Sequence, residues 1–135
     1  MTERIPRISI FLSVKNFDIS PSEISKVIDI VPDVSLSAGD YTRSGRVSDT
    51  SFWSVQLFSG HGWSVHEALV DALGKYSLDL FKSLTLDQKA SAYLSVTVSF
   101  LKPPSIYLPL SMMIRLSELN VDFDIELFRS EEVDL

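Results

Sequence analysis

The 135-residue chain contains no cysteine. This absence excludes disulfide bonds, thiolate metal ligands and cysteine nucleophiles, and it leaves the redox compartment open. No run of apolar residues approaches the ~18 that a membrane-spanning helix needs. The amino-terminal stretch also lacks the apolar core and small-residue cleavage site of a secretion signal. We therefore expect a cytoplasmic protein that makes no contact with a membrane.

Basic residues are fewer than acidic ones, 12 against 18, and the formal net charge is −6. The lysines and arginines are scattered along the chain and form no patch. Because a phosphate backbone would be repelled on average, we expect no nucleic-acid ligand. A basic protein partner is compatible with this charge. Glycine is scarce as well, at five residues, and neither glycine-rich phosphate-binding motif occurs.

Four segments alternate apolar and polar side chains, as strands with one buried face do. They lie at 7–14, 52–58, 92–101 and 121–127. A doubly wound parallel sheet has nearly continuous apolar strands, so this alternation favours a sheet covered on one face only. We also interpret 41–47 as a short irregular strand that forms a hairpin with 52–58.

Three helix starts lie between these strands. Ser20-Pro21-Ser22-Glu23 and Ser64-Val65-His66-Glu67 are capping boxes, in which a serine side chain and a glutamate satisfy free backbone N–H groups. A proline opens the third helix at a favoured position. This last helix is predicted to turn Met112 and Met113 towards the core and to end at a left-handed Asn120.

The resulting element order is β-α-β-β-α-β followed by α-β. We predict a single α+β domain over residues 1–135, built as a two-layer sandwich with helices on one face of a mostly antiparallel sheet. The first six elements match a ferredoxin-like core, and the carboxyl-terminal α-β unit extends it.

Several segments resemble a bacterial family of unknown function, the one numbered 4279. The opening strand-to-helix step at Phe17–Ile24 is similar to that of the family, as is the turn Ile30–Pro32 that closes the first helix. Gly39 and Trp53 stand where the family tends to place a glycine and then a tryptophan. The segment Leu108–Ile125 carries most of the resemblance. The resemblance implies a small stand-alone bacterial protein, and it assigns no activity.

Candidate binding residues gather in the predicted hairpin. Tyr41, Arg43 and Arg46 lie close in sequence, and Trp53 follows on the next strand. Cations combined with aromatic rings bind carboxylates or phosphates, or anchor a protein interface. The alternative is a solvated loop with Trp53 packed into the core.

The two histidines, His61 and His66, flank Trp63 near the start of the second helix. Histidine titrates near neutral pH and ligates metals. However, the i, i+5 spacing matches no metal-ligand template, and no nearby carboxylate is placed to orient either ring. We therefore expect no metal, no cofactor and no catalytic residue. The alternative to a ligand contact by His61 and Trp63 is that these side chains are simply exposed to water.

Asp122, Asp124 and Glu126 line one face of the last predicted strand. Residues on one face of a strand stand about 6–7 Å apart in a row, so their carboxylates do not converge on a cation. Such a row is typical of a solvated edge protected against strand-to-strand aggregation. It could also attract a basic partner.

These observations lead to two hypotheses. The first is a non-enzymatic protein-binding module that docks a partner on its acidic, serine-rich sheet face. By analogy alone, an immunity-type role that neutralises a toxin would suit such a protein. The second is a small-molecule binder or enzyme with a pocket between the Arg43–Trp53 hairpin and the His61–Trp63 loop. A homodimer joined through the polar sheet face is equally compatible with the sequence.

Overall fold

A computed structural model describes residues 4–15, 20–41, 44–47, 50–75 and 91–130. The strands are β1 (Arg7–Lys15), β2 (Val34–Leu36), β3 (Phe52–His61), β4 (Ser91–Phe100) and β5 (Asp122–Arg129). The helices are α1 (Pro21–Ile28), α2 (Val65–Lys75) and α3 (Leu110–Glu118). None of these helices is long and apolar enough to cross a membrane.

The strands form one sheet in the order β2-β3-β1-β4-β5. β1 pairs antiparallel with both β3 and β4, and β2 pairs antiparallel with β3. β5 pairs parallel with β4, which requires a crossover connection, and α3 lies within that connection. The fold is therefore α+β with a mostly antiparallel sheet, as predicted.

The alternation along the strands produces one buried face, which we call the core face. Every second residue of the two central strands is almost fully buried there: Ile8, Ile10, Leu12, Val14, Ala92, Leu94, Val96 and Val98. Side chains from all three helices belong to the same apolar cluster, among them Ile24, Leu69 and Leu116. The helices therefore cover the core face. The opposite face, which we call the open face, carries the polar half of the alternation.

α1 begins as its sequence predicts, but it ends at Ile28, several residues before Pro32, which was expected to stop it. The Oγ atom of Ser20 accepts a hydrogen bond from the N–H of Glu23 at 3.3 Å, and Asp29 ends the helix in the left-handed conformation with φ of 53°. Trp53 of β3 is fully buried, and its indole Nε1 donates to the Ser25 Oγ at 3.1 Å. This hydrogen bond fixes α1 against the sheet.

A hydrogen bond from an α3 side chain to an α2 carbonyl oxygen links these two helices. The Ser64 Oγ caps α2 by accepting the N–H of Glu67 at 3.2 Å. At the other end of α2, the Leu73 carbonyl oxygen accepts a hydrogen bond from Arg115 Nη2 at 2.9 Å. A cation is favourable there because the last carbonyl groups of a helix carry partial negative charge. Asn120 follows α3 with φ of 57°, so the predicted left-handed residue is confirmed.

The structure corrects the predicted hairpin before β3. Tyr41 and Val47 form only an isolated antiparallel bridge, and the strand that pairs with the start of β3 is Val34–Leu36. A strand of three residues is too short to show an alternation, so the sequence pattern does not reveal it. β3 also continues to His61, through a stretch that we predicted to be a loop.

The orientation of α3 also differs in part from the prediction. Met112 is buried, at 3% exposed, whereas Met113 is 50% exposed. Adjacent helical residues lie about 100° apart around the axis, so both cannot face the same core. The core side of α3 is set by Met112 and Leu116.

Candidate functional site

The open face of the sheet is built from hydroxyl and aromatic side chains. In one row across the sheet, Ser13 of β1 lies between Ser54 of β3 and Tyr93 of β4. The Oγ atoms of Ser13 and Ser54 are 3.0 Å apart and share a hydrogen bond. In the next row, Phe11 lies beside Ser95. Short serine side chains between rings give a shallow surface that offers both apolar area and hydroxyl groups.

A cation stands at one end of this face. The Nζ atom of Lys15 lies 5.9 Å from the ring centroid of Phe52 and 5.4 Å from that of Tyr93. Both distances allow cation–π attraction, worth about 0.5–1 kcal/mol at an exposed site. Lys15 is exposed, and its ammonium group lies beside both rings on the open face.

The β5 side of the open face is acidic. Asp122, Asp124 and Glu126 are exposed along β5, where they pair with three residues of β4: Tyr93, Ser95 and Thr97. Within the described ranges, no side chain forms an ion pair with these three. Nor does any group of three His, Asp or Glu residues in those ranges have a geometry that could hold a metal ion. Among the described residues, the row is therefore a run of acidic side chains without an ion-pair partner.

β5 is the edge strand on this side of the described sheet, and it pairs with β4 alone. Its outer backbone edge is available for a further strand. Antiparallel pairing of β5 with a second copy would set acids against acids: with Ile125 on the two-fold axis, Asp124 lies opposite Glu126. Like charges directly opposed are destabilising. Pairing of two copies through this edge is therefore disfavoured.

A small cavity lies at the end of β3, where α2 begins. It has a volume of about 170 Å³ and is lined by Ile8, Phe58, His61, Gly62, Ser64, Glu67 and Ala68. The Ser64 hydroxyl oxygen already caps α2, and His61 and Glu67 are the other lining residues with polar side chains. Small-molecule sites usually exceed about 300 Å³, so this cavity admits only a ligand of a few heavy atoms.

The structure places Trp53 and His61, one from each predicted binding segment, far apart. Trp53 and His61 lie at opposite ends of β3, and eight residue steps along a strand span about 26 Å. Trp53 is fully buried with its indole bonded to α1. It therefore occupies the core, the alternative that we gave for this residue.

The remaining candidates of the two loops lie at the surface. Tyr41 and Arg46 are exposed in the turn-rich segment before β3, and Arg43 lies outside the described residues. Trp63 is 37% exposed, and its carbonyl oxygen accepts the N–H of Ser105 at 2.7 Å. The binding roles assigned to these residues remain predictions.

Sequence reasoning missed the contact of Lys15 with Phe52 and Tyr93. Alternation places each of the three on a polar strand face, but it does not reveal which strands are neighbours. The cluster forms only because β1 lies between β3 and β4. A strand order is needed to find it, and no local signal in the sequence supplies one.

A family model described as Domain of unknown function (DUF4279) matches residues 6–128. The match runs from just before β1 to the penultimate residue of β5 and so contains nearly the whole described fold. The chain belongs to this family. No curated protein and no solved structure matches the chain.

Proposed function

We propose that this chain is a protein-binding module without enzymatic activity, and that its open face and acidic edge bind a basic protein. The observation that carries the proposal is the exposed row of Asp122, Asp124 and Glu126 on an edge strand. Complementary charge speeds association and selects among partners. Phe11 and Tyr93, in the neighbouring strands, supply the aromatic contact area that interfaces favour.

We propose further that the first six elements form a ferredoxin-like core. In support, the order β2-β3-β1-β4 has every neighbouring pair antiparallel, and β5 is added beside β4. Fold alone does not imply function, so the binding proposal depends on the open face. Neutralisation of a basic toxin in the cytoplasm is one form that such binding could take, by analogy only.

Charge reversal in the acidic row tests the binding proposal. Tagged wild-type chain, Asp124→Lys and Asp71→Lys serve as baits in a lysate of the source cells at low and moderate salt. Both substitutions change the net charge equally, but Asp71 lies on α2, away from the open face. We expect a basic protein that the wild type and Asp71→Lys retain and Asp124→Lys loses. Equal retention by all three baits would contradict the proposal.

A second candidate function rests on the cavity beside His61. Its imidazole and the Glu67 carboxylate would suit a small ligand that carries an amine or hydroxyl group. Titration with small amines, followed by NMR, should shift the methyl signals of Ile8 and Ala68, which line the cavity. Glu67→Gln removes the charge but keeps the backbone N–H that Ser64 accepts, so it should weaken this binding. Unchanged cavity signals at millimolar amine would rule this function out.

A further inference from the structure

The outer side of α3 is apolar. Leu110, Met113 and Ile114 follow i, i+3, i+4 spacing and so share one side of the helix, and all three are exposed. Met112 and Leu116, on the opposite side, are buried in the core. α3 therefore has two apolar sides: one is buried in the core, and the other is exposed to solvent.

Two apolar residues that shortly precede the helix in sequence are also exposed, and we define the α3 patch as these two together with the three of the helix: Ile106, Tyr107, Leu110, Met113 and Ile114. The exposed fractions of these side chains lie between 48% and 73%. At about 200 Å² for a fully exposed large side chain, the patch leaves roughly 600 Å² in contact with water. This area is at the upper end of the range for the largest apolar patch on a monomeric soluble protein, and such patches are often functional.

We propose that the α3 patch is the contact surface of a homodimer, in which the α3 helices of two copies pack antiparallel. Two such patches together would bury roughly 1,200 Å², the lower limit of stable protein interfaces. None of the five residues is charged, although the chain carries a net charge of −6. The contact therefore opposes no like charges, in contrast to pairing through β5.

The sizes of the residues along α3 suit packing against its own copy. With the two-fold axis between Met113 and Ile114, Leu110 of one copy lies opposite Ser117 of the other. A large side chain thus meets a small one at both ends of the contact, which lets the helices approach closely. Ser117 is exposed and is available for this contact.

The ends of the two helices are also complementary. Glu118 stands at the carboxyl-terminal end of α3, where a negative charge is unfavourable within its own helix. In the antiparallel pair it lies beside the amino-terminal end of the other α3. That end begins at Pro109, which makes no side-chain capping hydrogen bond. The uncapped N–H groups there favour a nearby carboxylate.

A membrane surface fits the α3 patch less well than a second copy does. Helices that lie on membranes combine an apolar side with lysine and arginine, which attract anionic lipids. The α3 patch contains neither residue, and the whole chain is acidic.

Sedimentation velocity of the full chain tests the proposal, with Ile114→Glu and Val70→Glu compared at each concentration. The control is closely matched: Val70 is also β-branched, lies in a helix and is 47% exposed, against 48% for Ile114. We expect the wild type to shift from 15.1 kDa to twice that mass as its concentration rises from about 1 µM to about 500 µM. Ile114→Glu should raise the dimer Kd at least about tenfold, since it buries a charge, and Val70→Glu should not.

A single introduced cysteine provides a second measurement, because the chain has none of its own. Met113→Cys places the thiol next to the two-fold axis, so mild oxidation should yield a covalent dimer. Val70→Cys, equally exposed, should remain monomeric under the same conditions. This comparison does not depend on the stability of a variant that carries a new charge.

Two results would overturn the homodimer. One is a wild-type chain that stays monomeric at about 500 µM. The other is a dimer that Ile114→Glu and Val70→Glu weaken equally, with equal crosslinking of the two cysteine variants. Far-UV circular dichroism of each variant confirms that it is folded before either result is read.

Discussion

Replacement of Ser25 by alanine should destabilise the fold, although serine to alanine within a helix is ordinarily favourable. The Ser25 hydroxyl donates to the Pro21 carbonyl oxygen at 3.2 Å and accepts the indole N–H of Trp53 at 3.1 Å. Trp53 is 0% exposed, so in the folded chain its indole N–H depends on Ser25 for a hydrogen-bond partner. Ser25→Ala therefore leaves a buried N–H group unpaired.

The magnitude follows from two opposing contributions. An unpaired buried donor costs about 1–3 kcal/mol. Alanine regains about 0.5 kcal/mol through its higher helix propensity. The free energy of unfolding should therefore fall by about 0.5–2.5 kcal/mol. In a Trp53→Phe background the donor is already absent, so the same Ser25→Ala change should be nearly neutral, and the two substitutions are coupled.

Urea unfolding followed by far-UV circular dichroism measures this coupling, because the signal does not depend on Trp53 fluorescence. Ser22→Ala is the matched control: it changes the same residue type in α1, but the Ser22 hydroxyl bonds only to Ser20 at the surface. We expect Ser22→Ala to alter stability by less than about 0.5 kcal/mol. If Ser25→Ala is as stable as Ser22→Ala, or costs the same with and without Trp53, the reasoning is refuted.

Three further predictions follow from burial and backbone geometry. Met112→Ala should cost about 2–5 kcal/mol in urea unfolding and Met113→Ala less than about 1, because only Met112 is buried; similar costs would contradict the assigned helix face. Asn120 has a φ of 57°, so Asn120→Gly should be tolerated, whereas Asn120→Val should lower stability by about 1–2 kcal/mol. Equal thermal midpoints for the wild type and Asn120→Val would contradict this. Lys15→Met should cost about 0.5–1 kcal/mol through lost cation–π contacts, and no loss would show that the rings near Lys15 do not stabilise it.

Local elements of this fold are predictable from the sequence. The alternation at 7–14 and 92–101 identifies both central strands and the side of each that faces the core, because strand side chains alternate with a period of two. The capping serines Ser20 and Ser64 mark the starts of two helices within one residue. Asn120 identifies the end of the third, since asparagine tolerates the left-handed conformation. Each of these features depends only on a residue and its near neighbours in sequence.

The arrangement of the sheet is not predictable in the same way. Alternation specifies a face but not a neighbour, so the order β2-β3-β1-β4-β5 and the parallel pairing of β5 have no local signature. The strand Val34–Leu36 pairs through backbone groups over three residues, too few for a pattern. The pocket expected between the Arg43–Trp53 hairpin and the His61–Trp63 loop stays a prediction, but β3 extends through Gly60 as a strand and so holds Trp53 and His61 apart.

The α3 patch and the acidic row lie on opposite sides of the sandwich, so a substitution in one surface should leave the other unchanged. α3 packs on the core face, so the α3 patch points away from the sheet, while the acidic row lies on the open face. A dimer through α3 would therefore present two open faces that point in opposite directions. Such faces cannot engage one partner together, so dimerisation should add a second binding site without raising the affinity of either.

Ile114→Glu should then change the stoichiometry of a complex with a basic partner from two-to-two to one-to-one and leave the Kd for that partner unaltered. Asp124→Lys should do the reverse, abolishing the complex while the dimer persists. A variant that disturbs both would mean that the two surfaces are coupled through the sheet, which a rigid two-layer fold does not provide.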